Sequence, residues 1–175
     1  ILARPDGSRY YVISAEATDT VLVLNSARTN VLKRIDLGAP ARAAAISPDG
    51  RRLVVLAGGL YIFDITSAGD DDVTPSPRPD AGTDPDDVAF SLDSSRAYIV
   101  SAVSGTLTRL NMETGEVVDV IGLEGRPSAV AAGPSGVLYV SATNRIYDVD
   151  PGTGAVRAEM GVNGKPGRAA FTPDG

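Results

Sequence analysis

The sequence predicts an all-β fold made of repeated four-stranded antiparallel units, and three observations carry that expectation. Nineteen Gly and 12 Pro among 175 residues, with no low-complexity tract, imply many turns and therefore many short strands. A turn word recurs as Pro5-Asp6-Gly7, Pro48-Asp49-Gly50, the degenerate Leu92-Asp93-Ser94, Pro134-Ser135-Gly136 and Pro173-Asp174-Gly175, at spacings of 43, 44, 42 and 39 residues. Two further markers keep step with it. Asn25, Asp64, Asn111 and Asp150 each close an alternating apolar run, and Pro40, Pro85, Pro127 and Pro166 each precede an Ala-rich apolar stretch by two to four residues. Three markers in one order, four times over, define an internal repeat.

Within each period, period-2 alternation marks four strands. The first is small and apolar: Arg42 to Ser47, Asp87 to Ser91, Ala129 to Ala132, and Arg168 to Phe171. The Pro-Asp-Gly word then turns the chain, because Pro presets φ and Gly accepts a positive φ. Second strands are Tyr10 to Ser14, Leu53 to Ala57, Ala97 to Ser101 and Leu138 to Ser141. Third strands are Thr20 to Asn25, Leu60 to Asp64, Thr106 to Asn111 and Arg145 to Asp150. After a turn containing Thr29-Asn30, Thr114-Gly115 or Thr153-Gly154, the fourth strand runs over Val31 to Leu37, Glu116 to Ile121 and Ala155 to Val162. In the second repeat it falls in an acidic, Pro-rich segment.

Four antiparallel strands every ~40 residues are the pattern of a β-propeller blade. The Ala-rich strand suits the innermost position, where blades converge and only small side chains fit. Helical repeats would need a 3.6 period, which is absent, and solenoid coils are shorter. The expected organisation is one partial propeller domain over 1–175, with blades at about 1–38, 39–82, 83–124 and 125–164. Residues 165–175 then form the inner strand of a further blade. Three arrangements satisfy this count: part of a larger ring, two chains completing an eight-bladed ring, or a four-bladed ring closing on itself.

Composition removes several chemistries. The chain has no His, Cys or Trp, which excludes disulfides, Cys or His metal sites, thiol nucleophiles and imidazole bases. A net charge of −6 and a pI near 4.6 disfavour a nucleic-acid partner. No apolar run approaches the ~20 residues of a membrane span. The charge is concentrated. Residues 69–87 hold seven aspartates (Asp70, Asp71, Asp72, Asp80, Asp84, Asp86, Asp87) against Arg78, and with four prolines they read as an exposed loop. Calcium would need converging oxygens, and no Asp-x-Asp-x-Asp-Gly spacing occurs, so no metal or other cofactor is expected.

Propeller ligands bind at the channel mouth, on loops joining one blade's outer strand to the next blade's inner strand. Here those loops are Gly38 to Arg42, Asp84 to Asp87, Gly125 to Ala129 and Asn163 to Arg168. Superposing the prolines places Arg42, Asp87 and Arg168 at equivalent sites, with Ala129 the fourth, while Arg126 and Lys165 precede their prolines. A ring of Arg42, Arg126, Lys165 and Arg168 would hold an anionic ligand or a partner's carboxylate. The plainer reading is an Arg42–Asp87 ion pair between neighbouring blades. Asp148 and Asp150 share a strand face about 7 Å apart, as turn residues rather than an acid–base pair. Ser14, Ser101 and Ser141 recur with the blade and belong to the fold.

Tyr11-Val12-Ile13-Ser14, Tyr98-Ile99-Val100-Ser101 and Tyr139-Val140-Ser141 occupy matching places, and Asp19-Thr20-Val21-Leu22-Val23-Leu24-Asn25 follows the first. With the Pro-Asp-Gly-Ser-Arg word, this resembles the YVTN-type β-propeller repeat of bacterial and archaeal surface, periplasmic and lactonase-like proteins. Val54-Val55 in the second repeat departs from the pattern. The resemblance implies a periplasmic or extracellular protein. On these grounds the expected function is a non-catalytic binding or scaffold module, taking a protein or cell-envelope ligand through the mouth loops, with a homo-oligomer as one way to complete the ring. The alternative is a lactonase-like hydrolase whose site is completed by blades absent from this chain.

Overall fold

The computed structural model describes residues 1–14, 19–66, 76–78 and 84–171. Among these residues, sixteen strands make four antiparallel sheets, each ordered as the chain runs. The first holds β1 (Leu2–Ala3), β2 (Arg9–Ile13), β3 (Thr20–Asn25) and β4 (Val31–Asp36). The second holds β5 (Ala43–Ile46), β6 (Arg52–Leu56), β7 (Leu60–Asp64) and β8 (Ser76–Arg78). The third holds β9 (Asp87–Phe90), β10 (Arg96–Ser101), β11 (Thr106–Asn111) and β12 (Val117–Gly122). The fourth holds β13 (Ala129–Gly133), β14 (Val137–Ala142), β15 (Arg145–Val149) and β16 (Val156–Gly161). β8 lies inside the acidic segment expected as a loop and pairs Ser76 with Ile62. Asp70, Asp71, Asp72 and Asp80 lie outside the described residues.

Alternation decides which neighbour each side chain meets. Tyr11, Val21 and Val23 of the first sheet pack on Leu53, Val55 and Phe63 of the second. Val54, Leu56 and Ile62 on the other face of the second sheet pack on Val88, Ile99 and Leu110. Tyr98, Val100 and Leu107 then meet Leu138, Val140 and Tyr147. No such cluster joins the fourth sheet to the first, so among the described residues the four sheets form an open arc. Residues 168–171, expected as a strand, pair with no strand among the described residues. Their side chains nevertheless follow β5, β9 and β13 along the channel wall.

The turns repeat at the atomic level. Asp49 accepts from the Ser47 hydroxyl at 2.6 Å and the Arg51 N–H at 3.0 Å, and Asp93 does the same with Ser91 and Ser95. Ser94 replaces the glycine of the word yet keeps its backbone, at φ 62 against 69 for Gly50. The fourth hairpin lacks the aspartate and makes a short 3-10 turn over Pro134–Gly136.

One polar clamp crosses a blade junction. Arg109 is only 3% exposed. It grips Asp119 on its own sheet through Nε at 2.6 Å and through Nη2. It also donates to the carbonyls of Pro151, Gly152 and Thr153 in the fourth sheet's turn, at 3.0, 2.7 and 3.1 Å. Arg96 adds two bonds to the Pro151 and Gly152 carbonyls. Replacement Arg109→Met keeps the bulk but strands these acceptors, and is expected to cost about 3 kcal/mol in urea unfolding.

The hairpin carboxylates set the acid limit. The Ser91 hydroxyl and the Ser95 N–H hold Asp93 below its ordinary range, and the Thr153 N–H does so for Asp150. At Asp49, burial pushes upward but the Ser47 hydroxyl and the Arg51 N–H outweigh it. Folded pKa values lie below unfolded ones, so this stabilisation is complete above about pH 4 and is lost as pH falls through the folded values. The urea midpoint is therefore expected to change little on their account between pH about 7 and 5 and to drop below about 4. A midpoint that rises on acidification would refute this.

Candidate functional site

The start of each inner strand faces one end of the channel, and there β5, β9, β13 and residues 165–168 surround a depression of about 380 Å³. Arg42, Asp86, Asp87, Ser128, Lys165 and Arg168 line it. The loops expected to form a mouth do converge. Their pairing differs from the expected Arg42–Asp87 bridge.

Arg42 instead reaches Asp84 at 2.9 Å and Asp86 at 3.2 Å. Asp86 turns its other oxygen to the Ala102 N–H at 2.6 Å. Asp87, 3% exposed, takes the Arg168 guanidinium, Nε at 3.1 Å and Nη2 on the second oxygen. It also accepts from the Val130 N–H of the fourth sheet at 3.0 Å and from the Val88 N–H at 2.9 Å. One carboxylate thus ties the inner strands of the third and fourth sheets to the segment beyond them.

The cause of the difference is a one-residue offset. The N–H groups of Arg42, Asp86 and Ser128 donate to Leu56, Val100 and Ser141 respectively, each at 2.8 Å. Arg42 is therefore the structural equivalent of Asp86. The loop from Pro40 to β5 is one residue longer than those after Pro85 and Pro127, so alignment on the prolines misplaces it. Sequence reasoning singled out neither Asp86 nor Ser128 as a mouth residue. The Asp84-Pro85-Asp86-Asp87 run carried the signal for Asp86.

Lys165 lines the mouth, exposed and without an ion pair among the described residues. Arg126 is exposed on the adjacent loop, at φ 58, likewise without an ion pair. Asp148 and Asp150 lie on Arg157 at 3.4 and 4.0 Å, away from the mouth. The recurring serines are structural here: Ser101 Oγ accepts from the Ser104 N–H, and Ser141 Oγ donates to the Gly167 carbonyl at 2.7 Å. A second depression, of about 400 Å³, lies at the hairpin end between the third and fourth sheets, lined by Leu92, Asp93, Arg96, Tyr98 and Pro151. Its arginine is already engaged by the turn carbonyls.

Stacked four-stranded sheets around a channel with a polar mouth define the chain as an arc of a β-propeller. Solved structures agree. The chain superposes on hydrazine synthase of Kuenenia stuttgartiensis with a TM-score of 0.79 at 19% identity, covering 92% of this chain and 48% of that one. For Sqt1 of Chaetomium thermophilum the values are 0.79, 18%, 95% and 47%. For the dihydro-heme d1 dehydrogenase NirN they are 0.74, 21%, 93% and 36%. The chain thus spans half or less of each of these structures, and identities this low show the fold alone. No family model and no curated protein matches the sequence.

Replacing Asp87 by Ala removes the acceptor that joins three segments. Amide exchange at Val130 is expected to accelerate about tenfold or more, with a smaller change for Asp87→Asn, which retains an acceptor oxygen. Unchanged exchange there in Asp87→Ala would mean that packing alone fixes β13 against β9.

Proposed function

We propose that the arc is a non-catalytic binding module of the YVTN-repeat type that recognises an acidic group on a protein or cell-envelope partner through its channel mouth. The observation that carries this reading is the distribution of charge there. Asp84 and Asp86 are answered by Arg42, and Asp87 by Arg168, whereas Lys165 at the mouth and Arg126 on the adjacent loop have no ion pair among the described residues. In a chain of net charge −6 this is a local positive excess, on loops carried by a rigid strand framework. The YVTN-like repeat words support a periplasmic or extracellular setting for such a module. The second reading, a lactonase-like hydrolase completed by blades outside this chain, draws on the buried Asp87 carboxylate at the mouth. Its ion pair with Arg168 favours an anchoring role, since a general acid or base needs a carboxyl that is not neutralised in this way.

Fluorescence anisotropy with a labelled oligoglutamate probe, compared with oligoserine, tests the reading. Oligoglutamate is expected to bind, to weaken as salt rises, and to lose about tenfold or more in affinity in the double variant Lys165→Glu/Arg126→Glu. Equal binding of both probes, or a double variant that binds unchanged, would refute it. Hydrolysis of simple lactones, abolished by Asp87→Asn, would establish the hydrolase instead.

A further inference from the structure

Successive hairpins touch at the channel end opposite the mouth. Between the first and second sheets, Gly50 lies so close to Pro5 that a Cβ on it would stand 3.0 Å from the proline Cδ. Between the second and third, the Asp49 N–H donates at 3.0 Å to Oγ of Ser94, which holds the place of Gly50. At the junction of the third and fourth sheets the equivalent residue is Gly136, and a Cβ there would meet nothing within 4 Å. The depression of about 400 Å³ occupies that gap.

Hairpin length is the cause. Residues 47–52 connect Ile46 to its partner Leu53, and residues 91–96 connect Phe90 to Ala97. In the fourth sheet, residues 133–137 connect Ala132 to Leu138, a loop one residue shorter that tightens into the 3-10 turn. It stops short of the hairpin before it.

The third hairpin departs from the repeat on the other wall of the same gap. Leu92 stands where the first two words have Pro5 and Pro48, and it is 58% exposed. The places of Arg4 in the first hairpin and Arg51 in the second are both serine in the third, Ser91 and Ser95. Asp6 and Asp49 therefore have a guanidinium nearby, Arg4 at 3.8 Å and Arg51 at 4.0 Å. Asp93 has no ion pair among the described residues. Its Oδ1 accepts from the Ser91 hydroxyl and from the Ser95 N–H and hydroxyl, whereas Oδ2 has no hydrogen-bond partner among them. These bonds hold the carboxyl below its ordinary range, so it is charged at neutral pH. Arg96, also in the gap, is committed to the Pro151 and Gly152 carbonyls. Tyr98, Ala132 and Val137 supply apolar surface between these polar groups.

We propose that this junction is a docking site for a protein partner, which inserts a large apolar side chain between the two hairpins and sets a neighbouring lysine or arginine on Asp93. Apolar walls with a few fixed polar groups are the usual construction of a binding pocket, and an inserted side chain would cover the exposed Leu92. The partner's cation would supply to Asp93 what Arg4 and Arg51 supply to Asp6 and Asp49. The site lies at the opposite end of the channel from the mouth, so the inference is independent of what the mouth binds.

A short peptide containing Phe-Lys, titrated while the amide NMR shifts of the chain are followed, tests the site. It is expected to move the amides of Leu92, Asp93, Gly136 and Gly152. A Phe-Glu control should bind about threefold or more weaker, and an Ala-Lys control about tenfold weaker. Ser95→Arg gives Asp93 the cation that Asp49 has, and Leu92→Pro restores the word of the second hairpin. Each should weaken the Phe-Lys peptide about threefold or more while leaving the urea midpoint undiminished. Equal binding of the Phe-Glu peptide would overturn the proposal, as would unchanged affinity in both variants. Shifts gathered at Lys165 and Arg168, or no shift at any peptide concentration, would do the same.

Discussion

Face-to-face packing of sheets is the interaction on which the rest depends. Each blade is only four strands wide, too small to bury a core of its own, and its strands place large apolar side chains on both faces. Tyr11 and Val23 bury against Leu53 and Phe63 only because the second sheet lies beside the first, and Val54 and Leu56 then need the third. A blade is therefore a shared object, with half of each core contributed by its neighbour. Small inner strands follow from the same constraint. Bulky residues in β5 or β13 would keep the sheets from converging at the channel.

Where the strands converge, apolar packing gives way to a polar knot. Asp87 replaces the Ala43 and Ala129 of the neighbouring blades, and a carboxylate at so buried a position is tolerated because three groups answer it: two backbone N–H groups and a guanidinium. Arg42 is taken up in the same way by Asp84 and Asp86, while Lys165 at the mouth has no ion pair among the described residues. The mouth thus separates into charges that anchor the framework and a lysine that has no ion pair among the described residues.

Much of this architecture was legible in the residues. The Pro-Asp-Gly word located the hairpins because its chemistry is local: the Asp49 and Asp93 carboxylates accept from residues two positions away on either side. Strand alternation was equally local, and the fold follows from it. The site was legible only as a region. Arg42, Asp87, Lys165 and Arg168 do come together, yet which cation meets which carboxylate depends on a one-residue difference in loop length after Pro40, and no periodicity reports that. The Arg109 clamp went unseen for a related reason. Its acceptors are main-chain carbonyls 42 to 44 positions away, and a carbonyl carries no mark in the sequence.

That clamp also makes cooperativity uneven along the arc. In a linear array, the energy of the whole resolves into terms for each unit and for each boundary between units. The boundary that Arg109 and Arg96 fasten carries five hydrogen bonds from guanidinium groups to the turn, in addition to its apolar cluster. The corresponding position in the first sheet is Val23, and in the second Ile62, neither of which can donate. The third and fourth blades are thus joined by guanidinium–carbonyl bonds as well as by apolar packing.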